Sequence, residues 1–76
     1  MDGERRLSDM GEGTTAKAVR LLLEGGMRRR MRDIGLIEGT QIRCLNRSPS
    51  GDPTAYLIRG AVIALRREDS SKIIVE

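Results

Sequence analysis

With 76 residues, no histidine and a single cysteine, the chain has room for one small domain and lacks the usual staples, because Cys44 has no disulfide partner and Cys/His zinc sets are excluded. Hydrophobic residues at 38%, charged residues at 33% and a net charge of +3 describe a soluble folded chain, and its longest apolar runs, Leu21–Leu23 and Ala61–Leu65, fall far short of the roughly 20 residues of a membrane span. Without histidine there is no Ser/His or Cys/His nucleophile pair and no two-histidine, one-carboxylate iron site, so no catalytic residue, metal ligand or cofactor is assigned.

Residues 1–6 are expected to be disordered, and Leu7 to Met10 to lay two apolar side chains on the core. From Thr14 to Leu23, Thr15, Lys17 and Val19 alternate with Ala16, Ala18 and Arg20, which reads as a strand, although the composition also suits a helix. Gly25 and Gly26 break the pattern. Met27, Met31 and Ile34 then recur at i, i+4 and i+7, one face of a two-turn helix. Arg28, Arg29, Arg30, Arg32 and Asp33 take the remaining surface, and Gly35 stands where a left-handed residue would end the helix.

Strand and turn signals follow. Thr40 to Asn46 sets Ile42 and Cys44 against Gln41 and Arg43, the alternation of a strand with one buried face. Ser48 to Pro53 is dense turn chemistry. Ala55 to Arg59 is the next strand, Gly60 a corner, and Ala61 to Arg66 a strand apolar enough to be buried on both sides at one end. Arg67 to Ser71 allows one helical turn, and Ile73 to Val75 is the last strand. The reading is a mainly β fold over residues 7–76: a small barrel of about five strands with one short helix between the first two.

The segments Leu7–Met10, Arg30–Thr40, Ser48–Pro53 and Gly60–Arg66, in this order, resemble the FeoA family of ferrous-iron transport accessory proteins. The resemblance rests on Arg30 with Gly35, Leu36 and Gly39, on the turn Pro49-Ser50-Gly51-Asp52-Pro53, and on Ala64-Leu65-Arg66, and it spans Leu7 to Val75. It departs at Gly11-Glu12-Gly13, where members often have a proline, and at Ser70, where alanine is common. The resemblance implies an SH3-like barrel in the cytoplasm that acts on FeoB, the ferrous-iron membrane transporter with its own GTP-binding domain. A free thiol and the absence of a signal-like apolar start point to the same compartment.

Arg28, Arg29 and Arg32 are the candidate partner-binding residues, a cationic patch for an acidic surface or for anionic lipid head groups beside it. A solvated helix face explains the same residues. Asp52 is the fourth candidate: as a contact residue it would affect partner affinity, and as a turn-capping aspartate it would affect stability. Met27 and Met31 read as core, and Cys44 as a small buried hydrophobe. The alternative function is a small basic nucleic-acid-binding barrel with arginines on phosphates, against which stands a single aromatic side chain, Tyr56, for base stacking. Weak self-association through exposed strand edges is also open.

Overall fold

The structure, a computed structural model, describes residues 4–76. Its strands are β1 (Arg5–Arg6), β2 (Thr15–Leu21), β3 (Gln41–Arg47), β4 (Thr54–Ile58), β5 (Ala61–Leu65) and β6 (Ile73–Val75), with helices α1 (Gly25–Asp33) and α2 (Arg67–Ser70) and a 3-10 turn at Leu7–Asp9. All pair antiparallel in the order β1-β6-β2-β3-β4-β5. Strand β2 belongs to both halves of this curled sheet, its first residues pairing with β3 and its later ones with β6, with a register shift between Ala18 and Arg20.

Alternation sends one side of each long strand inward. Ala16 and Ala18 from β2, Ile42 and Cys44 from β3 and Tyr56 and Ile58 from β4 meet Leu65, Ile73 and Val75, with Leu7, Met10, Leu23, Met31 and Leu36 closing the ends. Each fully buried leucine, isoleucine or methionine contributes about 1.5–3 kcal/mol relative to an exposed one.

Two expectations need correction. Arg5 and Arg6, placed within a disordered 1–6 segment, pair with Val75 and Ile74, which makes six strands instead of five. Strand β6 is Ile73-Ile74-Val75, buried throughout, and β1 covers its outer side; a two-residue strand has no alternation to read. The part of that expectation falling on residues 1–3 lies outside the described residues. Second, β5 is not buried on both sides at either end: it ends the sheet, Val62 is 67% exposed, and at the other end Leu65 is buried while Ala64 beside it is exposed.

Candidate docking site

Helix α1 begins at Gly25, two residues before the apolar pattern, with no side-chain cap at Glu24. Met31 is buried, while Met27 and Ile34 pack partly buried against the core, as their spacing predicts. The helix ends in a Schellman turn: the Gly35 amide donates to Arg32 O (2.9 Å), the Leu36 amide donates to Met31 O (2.9 Å), and Gly35 holds φ +96°. Buried Leu36 and Met31 supply the apolar contact that accompanies this motif.

That turn places the next residues. Gly39 N donates to Ala18 O (2.7 Å), Thr40 N to Ile37 O (3.0 Å), Ile37 N to Thr40 Oγ1 (3.1 Å), and the Thr40 hydroxyl to Gly35 O (3.1 Å). Thr40 is buried, yet Ile37, bonded to it at both backbone atoms, is 53% exposed. A large apolar side chain is thus held outward by a turn with little freedom to collapse.

Ile37 borders a groove of about 330 Å³ with an apolar floor of Leu21 and Leu36 and a rim of Arg28, Arg32 and Glu38. Arg28 and Arg32, one helical turn apart, face it together. Arg28 is also structural: its Nη1 donates to Leu21 O (3.0 Å) and Leu23 O (3.4 Å), tying α1 to the end of β2. Arg32 is exposed and has no side-chain hydrogen bond or ion pair among the described residues. Arg29 is exposed on α1 and does not border the groove.

Asp52 lies elsewhere. The seven residues of β3 separate the Leu36–Thr40 turn from the Ser48–Pro53 loop, about 20 Å at roughly 3.3 Å per residue. Asp52 Oδ1 accepts from the Arg67 amide at 2.9 Å, capping the first turn of α2, whose own N-cap residue, Arg66, makes no side-chain cap. The loop is braced by Ser48 N to Pro53 O (3.0 Å), Gly51 N to Ser48 O (2.8 Å) and Ser50 Oγ to Asp52 O (3.0 Å), and the Asp52–Pro53 peptide is cis. The candidate residues therefore divide into a groove edge at Arg28 and Arg32, a helix surface at Arg29, and a helix cap at Asp52.

Sequence reasoning missed two arginines. Arg59 takes φ +50° in the two-residue turn joining β4 and β5, and its side chain lies over Gly35, where an added Cβ would stand 2.5 Å from Arg59 Cδ. The Arg-Gly pair signals a tight hairpin, but nothing local indicates that the side chain would reach α1. Half-buried Arg47 donates from Nη2 to Met10 O (2.8 Å) and Ser8 O (3.4 Å), and Glu12 accepts from its amide (2.7 Å), which anchors the N-terminal segment on β3. Its Nη1 is buried without a partner among the described residues.

Chemistry inside the barrel is muted. Burial pushes the Cys44 thiol up, against a downward pull from Arg47 and with a smaller upward one from Glu12, so little reactive thiolate forms near neutral pH. Among the described residues no three Cys, Asp or Glu side chains converge, and no helix is long and apolar enough to cross a membrane. A second depression, about 540 Å³, lies on the outer sheet face beside Arg43 and Arg59. Tyr56, 1% exposed, offers it no stacking surface.

A family model described as the FeoA domain matches residues 5–76. The chain is 38% identical over 71 residues to the Fe(2+) transport protein A/Fe(2+) transporter FeoB fusion protein of Porphyromonas gingivalis, covering 93% of this chain and 8% of that much longer protein. Among solved structures it is similar to the FeoA protein of Chlorobium tepidum, with a TM-score of 0.90 and 30% identity over 95% of this chain and 69% of that one. The FeoA of Stenotrophomonas maltophilia, described as a prokaryotic SH3 domain protein, shares the fold with a TM-score of 0.78 at 24% identity, covering 95% and 89% of the two chains. The SH3-like architecture expected from the sequence is borne out.

Proposed function

The chain belongs to the FeoA domain family, and from that premise we propose that it is a binding module without catalysis of its own, which docks on the cytoplasmic side of a FeoB-type ferrous-iron transporter and favours one of its states. The observation that carries this reading is the groove in which exposed Ile37, on a braced turn, stands beside Arg28 and Arg32. An apolar anchor on a rigid support loses little entropy on docking, and guanidinium groups at its edge select an acidic counterpart. The relative that joins an Fe(2+) transport protein A to an Fe(2+) transporter in one polypeptide supports the pairing, since such linkage keeps the two at high effective concentration.

Binding to the whole transporter in detergent tests the site. Ile37→Ser and Arg32→Glu should each weaken it about tenfold, roughly 1.4 kcal/mol, without lowering the melting temperature. Arg29→Glu, away from the groove, should have a smaller effect. Full affinity in both groove variants would remove the groove from the account. Salt distinguishes the nucleic-acid alternative, because phosphate contacts weaken steeply with ionic strength while an interface with an apolar centre persists.

A further inference from the structure

The second depression, about 540 Å³ on the outer face of the sheet, falls within the roughly 300–1,000 Å³ typical of small-molecule sites. Register sets Thr15, Arg43 and Leu57 in one row across β2, β3 and β4, and Gln41 and Arg59 border the depression beside that row. No aspartate or glutamate borders it among the described residues, and neither arginine has a carboxylate within ion-pair distance. Lys17, paired with Gln41, stays outside the depression and has Glu76 directly across from it in the chain beyond β6. Thr14 and Thr40 direct their hydroxyls to Gly11 O and Gly35 O, whereas the Thr15 hydroxyl and the Gln41 side-chain amide bond no other described residue.

Arg59 stands here against the preference of its own turn. Arg59 (φ +50°) and Gly60 (φ +85°) form the two-residue turn between Ile58 and Ala61, with positive φ at both positions, where asparagine, aspartate or glycine is favoured. That backbone conformation penalises a long side chain. The Arg59 stem passes over Gly35, and the missing Cβ of Gly35 leaves it room. A residue kept in an unfavourable conformation beside a depression points to a site, and two guanidinium groups without a carboxylate partner specify an anion.

We propose that this depression binds a small organic phosphate, with the phosphate group between Arg43 and Arg59 and the carbon skeleton on half-buried Leu57. Guanidinium forks match phosphate oxygens bidentately, and two of them balance the charge of a phosphate monoester. The Thr15 hydroxyl and the Gln41 amide supply neutral hydrogen bonds to the rest of the molecule. A nucleic-acid strand is the weaker fit, because a run of phosphates needs cations along its path, and Lys17, the next on this face, is matched by Glu76. The inference does not depend on the groove at Ile37, with which the depression shares no bordering residue.

The test is an NMR titration of the chain with phenyl phosphate, read at the arginine side-chain N–H and backbone signals. Saturable shifts should gather at Thr15, Gln41, Arg43, Leu57 and Arg59; inorganic phosphate, which has no ring to cover Leu57, should need about tenfold higher concentration, and phenol should shift nothing. Arg43→Gln and Arg59→Asn should each weaken binding about tenfold. Because asparagine suits the turn better than arginine, Arg59→Asn should leave the melting temperature unchanged or raise it, which separates a ligand contact from a structural role. Arg43→Gln, on an exposed strand position, serves if the turn variant does not fold. Unsaturable shifts, or equal affinity in both variants, would overturn the proposal. So would an oligothymidylate that moves the same signals at lower concentration than phenyl phosphate, since the occupant would then be a nucleic-acid strand.

Discussion

Cys44 and Tyr56 sit side by side in the core, and both titrate against the fold. Burial raises the thiol above its ordinary 9.0; it also raises the phenol, whose hydroxyl donates to Leu7 O (3.4 Å), above 10.0, partly offset by the polar neighbours Ser70 and Thr54 and by Arg47. Each group is neutral when protonated and holds its proton more tightly folded than unfolded. The stability they contribute is therefore intact below about pH 9 and is lost as pH rises through their folded values. Thermal melts should be level from neutrality to about pH 8 and fall above pH 9, with a shallower fall in Cys44→Ala. An identical alkaline slope in that variant would remove Cys44 from the explanation. Gly35 is the other sensitive single position. With φ +96° and Arg59 across it, Gly35→Ala should cost roughly 1 kcal/mol for the backbone and more if the arginine cannot swing aside. Gly35→Ala combined with Arg59→Ala should recover the steric part, readable in a denaturant series.

Among the elements, α2 and the Ser48–Pro53 loop depend on each other through one bond, Asp52 Oδ1 to the Arg67 amide. Asp52→Ala should destabilise by about 1 kcal/mol, and Asp52→Asn, which keeps an acceptor oxygen, by less. Affinity for the transporter should be unchanged in both, which would separate a cap from a contact; a loss of affinity without loss of stability would reverse that assignment. Helix α1 shows where local pattern succeeds. Met27, Met31 and Ile34 gave the buried face, and Gly35 the end, because helix periodicity and the left-handed terminus are local properties. The same pattern could not tell Arg28 from Arg32. Only the approach of β2 reveals that Arg28 binds Leu21 and Leu23 carbonyls while Arg32 does not. Arg28→Glu should therefore lower the melting temperature, unlike Arg32→Glu.

On the scale of the whole molecule, the five longer strands were legible in the sequence, but their order in the sheet was not, and the ends of the sheet were misjudged. The longest wholly apolar strand, β5, lies at an edge, and two arginines form β1, because hydrophobicity reports preference for burial while topology decides which strand has a neighbour on each side. The groove escaped sequence reading for the same reason: Leu21, Arg32 and Ile37 come from β2, α1 and the turn after it, and meet only when β2 and β3 pair. The docking site proposed for the transporter is this groove. NMR chemical shifts of the labelled chain, followed as whole transporter is added, test it most directly. The largest changes should gather at Leu21, Arg32, Leu36 and Ile37 and leave the Ser48–Pro53 loop in place; changes centred elsewhere, or none at saturating transporter, would contradict docking at the groove.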